Sequence, residues 1–539
     1  MSSGTPAPSA DVPGATPPSV GHTLRHATFR GLFAGGSVYF IGNAMQSMAT
    51  TWEMVEATGS GFLAALVQTA LFLPMFLLSL PAGVLADTTD RRRLILAALA
   101  THAVAIALLT VLLAWDAAGP ALLLFLTFVC GCSTALITPA WNSSVADSVP
   151  REELGQAITT VSIAYNAARA LGPTLGGFIF ALLGGPFVFF LALLGTLVML
   201  RSIRRHPPRP HPPSRLPAER LFGGMMAALR FAWHAQPIFA QLLRTTAYSG
   251  AGSALWALLP VIGQKRIGLG ATGFGLLMGC LGVGAVCAGL VIGRVRARVS
   301  HERIVLGGCV VFALATAVAA WSPWIWAIYV ALLAAGASWM AVMSTFNTAT
   351  QTSAPPWVKA RAAALHALCA LGAFAIGSAL WGAVSGIAGL QSALTLSAIA
   401  MFAGLLLARP FPLRMGAAED VTPATPFHDL FVAEEPAPEA GPVAVEIAYR
   451  IRAEDQEAFL DALTQLRAPR RRDGATFWRI YRDLADPTRY LERFIVASWA
   501  DYLHQRARAT LADQELEERV RAFVPEGEAV TMQHYIAER

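Results

Sequence analysis

An internal repeat constrains this 539-residue chain more than any other feature of its sequence. Several residues of the first half recur in the second half at one constant spacing. The pairs are Asn142/Asn347, Ser148/Ser353, Pro150/Pro355, Ala157/Ala362, Gly172/Gly377, Gly177/Gly382 and Gly184/Gly389, and each is offset by 205 residues. A repeat of long period means that one structural unit occurs more than once in a chain. We therefore predict two copies of a single folding unit.

The composition indicates that both copies lie in a membrane. Hydrophobic residues make up 55% of the chain and charged residues 14%, against roughly 25% charged residues in soluble domains. Each copy contains six apolar runs long enough to cross a hydrocarbon core of roughly 30 Å as helices. The runs lie near 32–55, 62–85, 94–114, 121–141, 155–180, 184–203, 238–262, 271–293, 304–321, 323–346, 360–384 and 387–408. Because six is even, both copies enter the membrane from the same side, and the two repeats are parallel. The sequence therefore predicts an all-α membrane fold, a twelve-helix bundle of two parallel six-helix repeats with a cavity at their interface.

The basic residues predict the orientation of this bundle. One set of loops is rich in arginine, whereas the alternate set carries only Lys265 and Arg266. The rich set comprises Arg25, Arg30, Arg91–Arg93, Arg151, Arg204, Arg205, Arg294, Arg296, Arg298, Lys359, Arg361 and Arg409. The positive-inside rule places that set and both termini in the cytoplasm, in a multi-pass protein of a bacterial-type plasma membrane, the cell inner membrane. The net charge of +6 is therefore a topology signal, and we predict no nucleic-acid partner.

The changes in composition predict six segments. They are a disordered cytoplasmic tail (1–30), the first six-helix half (31–203), a cytoplasmic linker (204–237), the second six-helix half (238–410), a second linker (411–442) and a soluble domain (443–539). We predict no cleavable signal peptide in the tail. The proline-rich part of the first linker favours an extended spacer. All six cysteines lie inside apolar runs, where we interpret them as small packing residues. No metal site or cofactor site is predicted.

The second span ends in a charged segment over residues 83–93, Gly-Val-Leu-Ala-Asp-Thr-Thr-Asp-Arg-Arg-Arg. A glycine lets two helices approach closely, and an aspartate beside arginines in a short loop can form an ion-pair latch that biases two packings of the halves. The predicted latch residues are Gly83, Asp87, Arg91 and Arg92. The alternative is that the arginines serve only as orientation signals.

This segment resembles the loop signature between the second and third helices of the major facilitator superfamily. Gly83, Asp87 and Arg91–Arg93 match the signature, whereas Thr88 and Asp90 depart from it at its basic and second-glycine positions. The variant Ala-Asp-x-x-Asp-Arg-Arg is similar to the enterobactin-exporter-like branch of that superfamily. The resemblance covers about residues 29–410 and implies a secondary transporter that works by alternating access.

The fifth span carries Gly172, Pro173, Gly176 and Gly177. Glycine and proline inside a membrane helix permit close packing and a bend. The pattern Gly-Pro-x-x-Gly-Gly resembles the antiporter signature of facilitator-superfamily exporters, which implies export in exchange for an ion, usually a proton. The alternative is a packing kink that has no bearing on the direction of transport.

Polar residues within the spans are candidates for binding substrate or coupling ions. These candidates are Asn43, Gln46, Glu53, Asn166, Arg169, Arg244 and His366. Arg169 lies near the middle of the fifth span, where an arginine faces a cavity or a partner and either binds an anionic group or acts as a structural clamp. Arg244, nearer the cytoplasmic end of its span, is open to the same two interpretations and to a third, that its side chain extends to the membrane surface. Coupling to protons needs a titrating group, for which Glu53 and His366 are the candidates. The alternatives are that Glu53 lies at a solvated helix end and that His366 only forms hydrogen bonds within the bundle.

The sequence becomes typical of a soluble protein from residue 443. Strand and helix patterns alternate in the order β-α-β-β-α-β, with strands at 443–451, 477–482, 490–498 and 529–536, which is a ferredoxin-like order. The segment Phe494–Trp499, followed by His504, resembles the dimeric α/β-barrel fold of antibiotic-biosynthesis monooxygenases. An enzyme, a ligand sensor and a dimerisation module are all open, and we favour assembly or regulation, with a homodimer formed through this domain.

We therefore predict a secondary active transporter of the major facilitator type, not an enzyme. It would export small amphiphilic molecules of the drug or siderophore class, coupled to protons, and its other partner would be membrane lipid. The alternatives are a nutrient importer and a membrane-tethered monooxygenase-like enzyme that acts through the C-terminal domain.

Overall fold

A computed structural model describes residues 22–88, 90–150, 153–205, 221–424, 432 and 434–538. Most of the predicted N-terminal tail and residues 206–220 of the first linker lie outside this part of the chain. The first group of long helices comprises α1 (Ala27–Thr58), α2 (Gly61–Thr88), α3 (Arg91–Ala114), α4 (Pro120–Ala146), α5 (Leu154–Leu183) and α6 (Gly185–Arg205). The second group follows a short helix, α7 (Leu221–His234), and comprises α8 (Gln236–Val261), α9 (Ala271–Arg296), α10 (His301–Trp321), α11 (Ile325–Thr352), α12 (Lys359–Ala388) and α13 (Leu390–Gly404).

The long helices have the length and polarity of membrane spans. Among the described residues, 9 helices are long and apolar enough to cross a membrane. Helices α1, α5 and α8 are not among them, although they have 32, 30 and 26 residues. They carry many of the polar side chains named above, which lower their hydropathy. The chain is a multi-pass membrane protein.

The repeat is visible in the helix boundaries. Helix α5 runs from Leu154 to Leu183, and α12 runs from Lys359 to Ala388, so both ends keep the 205-residue offset. Each helix is followed by a glycine with positive φ, 82° at Gly184 and 88° at Gly389. Only glycine adopts this backbone conformation without a steric penalty, so both helices end at the same kind of stop signal.

Two faces of the helix bundle can be distinguished. Helix α1 begins at the face from which the chain continues into its C-terminal residues, and we call this the tail face. The other face, where α1 ends and α2 begins, we call the far face. The largest apolar core contains buried residues of both groups of helices, among them Met45, Leu258, Phe274 and Phe346. A second core, which includes Phe29 and Trp141, packs near the tail face.

Helix α7 lies inside the linker that the sequence analysis predicted over residues 204–237. An extended spacer was expected for its proline-rich part, but the prolines end before residue 221 and an apolar segment follows. Phe231 and Ala232 are buried against Val358 and Leu365 of the α12 region. Tertiary packing therefore forms a helix where the linker prediction had none.

The C-terminal domain contains a four-stranded antiparallel sheet. Its strands are β1 (Val443–Arg450), β2 (Phe477–Arg482), β3 (Arg489–Val496) and β4 (Thr531–Ile536), in the spatial order β2-β3-β1-β4. One face of the sheet packs against α15 (Gln456–Gln465), α16 (Arg467–Asp473), α17 (Trp499–Arg508) and α18 (Leu511–Arg521), which follow the four-residue α14 (Ala418–Val421). This topology is compatible with the predicted order, and α16 is an additional helix that the sequence analysis missed.

Paired polar groups stabilise the interior of this domain. The buried carboxylate of Glu492 accepts hydrogen bonds from Trp478 Nε1 at 2.9 Å, Arg470 Nε at 3.2 Å and Tyr449 Oη at 3.3 Å. A buried carboxylate needs such partners, because an unpaired charge in this environment is costly. The short α16 segment supplies Arg470, so this additional helix completes the core.

The C-terminal domain packs against the second group of helices. Helix α16 contacts α7, and the Arg472 guanidinium lies 5.9 Å from the centre of the Phe231 ring. The Arg508 guanidinium lies 4.4 Å from the centre of the Trp357 ring, just before α12. Phe231 and Trp357 themselves meet edge to face at 5.5 Å. Two arginines of the domain therefore cover an aromatic pair on the tail face.

Candidate functional site

Helices α5 and α9 form the first of two crossings between the halves. A Cβ atom added at Gly177 would lie 2.5 Å from the Ala271 carbonyl oxygen and 2.9 Å from Gly275 Cα. Thr174 Oγ1 donates a hydrogen bond of 3.2 Å to the Gly275 carbonyl oxygen. The two backbones are in direct contact here, so only glycine fits at these positions.

The four residues of the predicted antiporter-type motif have different neighbours in this structure. Gly172 and Gly176 pack against α1, where added Cβ atoms would lie 2.6 Å from Ala44 Cβ and 3.1 Å from Met45 Cα. Gly177 faces the other half of the bundle. Pro173 lies within α5. The motif therefore joins α5 to a neighbour in its own half and to the opposite half.

Helices α2 and α12 form the second crossing. Thr69 Oγ1 donates a hydrogen bond of 2.9 Å to the Ala375 carbonyl oxygen. The rings of Phe72 and Phe374 meet edge to face at 4.9 Å. A Cβ atom added at Gly382 would lie 2.5 Å from Ala65 Cβ.

Both crossings lie toward the far face. They involve the beginnings of α2 and α9 and the later parts of α5 and α12. The stacked rings of Trp52 and Phe274, 5.5 Å apart, add a contact near the same face. The described inter-half contacts therefore close the bundle on the far side, and we infer that the space between the halves opens toward the tail face.

Arg169 lies beside these crossings. Its side chain is exposed, and its guanidinium lies 5.8 Å from the ring centre of Trp256 on α8 of the other half. Trp256 Nε1 is buried and has no hydrogen-bond partner within the described part of the chain. Asn166, one turn earlier, donates to the Ser162 carbonyl oxygen at 2.8 Å. A cation, an aromatic ring and an unused N–H donor therefore lie near one another at the interface.

Gln46 and Asn43 belong to α1 but differ in exposure. Gln46 is buried and donates a hydrogen bond of 3.4 Å to Cys130 Sγ of α4, while its Oε1 has no partner among the described residues. Asn43 is partly exposed. Gln46 thus faces the interior of the first half, where Tyr39 and His102 are also buried.

Arg244 is held by an ion pair that the sequence analysis did not anticipate. Its Nη1 and Nη2 atoms each lie 2.8 Å from a carboxylate oxygen of Glu302, in the first turn of α10. The same carboxylate accepts the Leu413 N–H at 2.7 Å, and the guanidinium lies 5.9 Å from the Phe346 ring. Of the three interpretations of Arg244, this geometry matches the structural clamp. The available signal was the sequence Ser-His-Glu at residues 300–302, which begins a helix with a capping serine and an early acid.

The two titratable candidates occupy opposite ends of the bundle. His366 is buried near the beginning of α12, and its Nδ1 lies 2.7 Å from Gln241 Nε2. Gln241 Oε1 has no hydrogen-bond partner among the residues that the structure describes. Glu53 lies near the end of α1 and is only partly buried, and it experiences the negative charges of Glu56 and Asp116.

The predicted latch is described only in part. Gly83 and Asp87 belong to α2 and Arg91 begins α3, but the side chains of these residues lie outside the described part of the structure. Asp90 caps α3 by accepting the Arg92 N–H at 2.9 Å. Arg92 Nη2 donates to the Arg204 carbonyl oxygen at 2.7 Å, at the end of α6. Among the described residues, no group of His, Cys, Asp or Glu side chains is arranged to hold a metal ion.

Comparison with known proteins identifies the family. A family model described as "Transmembrane secretion effector" matches residues 19–539. The chain is 26% identical over 369 residues to the multidrug efflux pump Tap of Mycobacterium tuberculosis, an alignment that covers 65% of this chain and 85% of that protein. It is 27% identical over 359 residues to the enterobactin exporter EntS of Salmonella typhi, with 66% of this chain and 85% of that protein covered.

Solved structures show the same fold for the helical part. A bacterial homologue of the lysosomal transporter Spinster, in an inward-facing and unoccupied conformation, has a TM-score of 0.58 at 14% identity and covers 73% of this chain. It is matched over 99% of its own length. A bacterial homologue of the iron transporter ferroportin, in an inward-facing state, has a TM-score of 0.58 at 15% identity and covers 72% of this chain and 99% of its own.

These relatives are transporters rather than enzymes, in agreement with the prediction from the sequence. The family model spans almost the whole chain, including the C-terminal sheet. The chain belongs to the transmembrane secretion effector family of the major facilitator superfamily.

Proposed function

We propose that the protein exports small amphiphilic molecules of the drug or siderophore class by alternating access. The observation that supports the proposal is the pair of crossings α5–α9 and α2–α12, which, among the residues that the structure describes, join the halves toward the far face. A rocking motion that breaks these crossings and closes the tail side would move a bound molecule across the membrane. The efflux functions named for the two relatives support export.

The decisive experiment is uptake into inside-out vesicles that contain the purified chain. Ethidium and a catecholate siderophore serve as probes of the two substrate classes. Accumulation inside such vesicles supports export, whereas depletion from them identifies an importer. The double variant Gly177→Leu/Gly382→Leu, which blocks both crossings, is the matched inactive control.

We also propose the topology behind this cycle. Helices α1–α6 and α8–α13 form the twelve spans, as two parallel repeats, with residues 31–203 and 238–410 as the moving halves. The tail face and both termini are cytoplasmic, and the protein lies in a bacterial-type inner membrane. Reporter fusions at residues 220 and 440 should both be cytoplasmic, and a periplasmic signal at either position would overturn this topology.

The group around Arg169 is the proposed binding site for substrate. A guanidinium beside the Trp256 ring suits an amphiphile that carries an anionic or aromatic group, and Asn166 and Asn43 add polar contacts. Arg169→Lys keeps the charge, whereas Arg169→Met removes it, so anionic substrates should lose binding only in the second variant. Equal loss in both variants would favour the structural clamp.

Proton coupling is proposed from the antiporter-type motif. Glu53 and His366 are the candidate titrating groups. Gln241 Nε2 lies 2.7 Å from His366 Nδ1, and Gln46 lies about two turns before Glu53 on α1. Collapse of the proton gradient should stop accumulation in inside-out vesicles. Glu53→Gln and His366→Gln then separate the candidates, because only the coupling residue should uncouple transport from pH.

The latch remains a proposal that rests on the sequence of residues 83–93. Asp87→Asn or Arg91→Ala should leave membrane insertion intact and lower turnover, because a latch biases conformations without touching substrate. Arg93→Ala is the control, since its side chain is exposed at the start of α3. Normal transport by both latch variants would show that the segment only sets orientation.

For the C-terminal domain we propose a ferredoxin-like fold, similar to dimeric α/β-barrel domains, that serves regulation or assembly. The sheet face turned away from the helices carries Tyr481 and Tyr535, which are 45% and 48% exposed. A second copy of this face would cover these rings and form a homodimer. Tyr481→Glu should convert a dimer in nanodiscs to a monomer, and Leu484→Glu, at a 94% exposed loop residue, is the control.

A further inference from the structure

We propose that α7 is an interfacial helix whose apolar face lies in the lipid bilayer surface at the tail face. This face consists of Met226, Leu229 and Trp233, which are 59%, 44% and 71% exposed. Their spacing of three and four residues places them on one side of a helix. Large apolar side chains grouped on one exposed face mark a surface that binds a partner.

The other side of α7 is already occupied by protein. Phe231 is 3% exposed and packs against the beginning of α12. Arg472 of the C-terminal domain covers the same ring. The two sides of α7 are thus distinct: one side is buried against protein, whereas Met226, Leu229 and Trp233 on the other side are exposed.

The position of α7 identifies lipid as the partner of the exposed side. A single residue, Ala235, separates α7 from the long helix α8, and the Trp233 ring meets Phe239 in the first turn of α8 at 5.3 Å. Helix α7 also packs at the level where Lys359 and Arg361 begin α12. Basic residues at the beginning of a membrane helix mark the headgroup region. A helix attached at this level, with tryptophan and leucine on one face, matches the physical pattern of an interfacial helix.

This placement has a consequence for the C-terminal domain. Because α16 packs against the protein-facing side of α7, insertion of the other side in lipid holds the domain at the bilayer surface. Arg230, on the edge of α7, experiences the negative charges of Asp501 and Asp473 in the domain. Within α7 the sequence contains no acidic residue that would repel anionic headgroups.

Photo-cross-linking of the full chain tests the proposal. p-Benzoylphenylalanine is placed at Leu229 or, as the matched control, at Phe231, and each variant is reconstituted in nanodiscs of phosphatidylethanolamine and phosphatidylglycerol. After irradiation, mass spectrometry should find lipid adducts at position 229. At position 231 it should find adducts to peptides of α16 or of residues 354–365.

Each other outcome at position 229 overturns the proposal. Adducts to peptides of the same chain or of a second copy would mean that protein covers this face. If the label at position 229 stays unreacted while the label at position 231 forms its adducts, water covers this face. Deuterium exchange adds a second measurement: Trp233→Glu should speed exchange of the α7 amides roughly tenfold in the same nanodiscs, as expected when one large apolar side chain leaves the lipid. An unchanged rate would contradict the insertion of Trp233.

Discussion

Glycines 205 residues apart occupy equivalent places in the two halves of the membrane bundle, but the atoms that face them differ. Gly172 faces Ile41 and Ala44 of α1, and its counterpart Gly377 faces Gly250 of α8, so each packs inside its own half. Gly177 and its counterpart Gly382 each face the opposite half. Gly177 meets the backbone of α9, whereas Gly382 meets the Ala65 side chain. Two glycines 205 residues apart thus lie at the two crossings, and the neighbouring residues set how tightly each crossing is packed.

The two halves also differ at positions 39 and 244, which are 205 residues apart and therefore correspond in the predicted repeat. In the first half, Tyr39 is buried and its hydroxyl lies 3.4 Å from Thr134 Oγ1. In the second half, Arg244 forms the ion pair with Glu302, which also holds the N–H of Leu413. The second half therefore has a charged clamp near the exit to the C-terminal domain, where the first half has a neutral contact.

The largest expected effect comes from breaking this clamp. Arg244→Ala should lower the free energy of unfolding by about 3 kcal/mol, because the partly buried Glu302 carboxylate keeps the Leu413 N–H but loses its charged partner. The repeat-related variant Tyr39→Phe should cost less than about 1 kcal/mol, because only a long hydrogen bond is lost. Thermal unfolding in nanodiscs measures both values. Equal effects would contradict the asymmetry between the halves.

The next effect concerns the two crossings. Gly177→Ala should reduce transport roughly tenfold, because the added methyl group meets the α9 backbone and overpacking of this kind costs about 1–3 kcal/mol. Gly382→Ala should reduce transport less, because its added methyl group meets one atom closer than 3.0 Å, Ala65 Cβ at 2.5 Å, whereas that of Gly177→Ala meets two, at 2.5 and 2.9 Å. Gly386→Ala is the control, since its added Cβ has no neighbour within 4 Å. A larger loss for Gly382→Ala would reverse the ranking.

A smaller effect is expected at the contact that attaches the C-terminal domain to the second half. Trp357→Ala removes the ring that Arg508 covers at 4.4 Å, and a desolvated contact of this kind is worth about 2 kcal/mol. Limited proteolysis at the 411–442 linker should then become faster. Trp326→Ala, at a 76% exposed ring, is the control. Unchanged cleavage would mean that other contacts hold the domain.

The smallest effect is a pH dependence of the same attachment. Partial burial and the positive charges of Arg508 and Arg361 lower the pKa of His504, against the opposing charge of Asp501. A lowered pKa in the folded state means that protonation opposes the docked form. Docking should thus be complete above the ordinary histidine pKa of about 6.5 and should weaken as the pH falls below that value. His504→Gln should remove this dependence in the proteolysis assay, and a pH profile identical to the parent would exclude His504.

Some features could be predicted from the sequence because local chemistry encodes them. The apolar runs, the glycine stops after α5 and α12, and the strand Phe477–Arg482 follow from period, composition and backbone freedom, which act over a few residues. Helix α16 was missed because its packing against α7 and the sheet, rather than any periodic pattern, stabilises it. Helix α7 was missed for a related reason, since a short apolar segment after a proline-rich stretch has no strong helix signal of its own.

The same division applies to the candidate site. Arg169 and Arg244 are alike in sequence, since each is an arginine within an apolar helix. The tertiary structure separates them: Arg244 lies 4% exposed beside Glu302, whereas Arg169 reaches Trp256 of the other half. The sequence by itself determined the multi-pass helical membrane fold, because hydrophobic runs are carried by the chain in order. Only the tertiary structure decided which charges are paired and which face of the bundle is closed, because those depend on contacts between residues far apart in the chain.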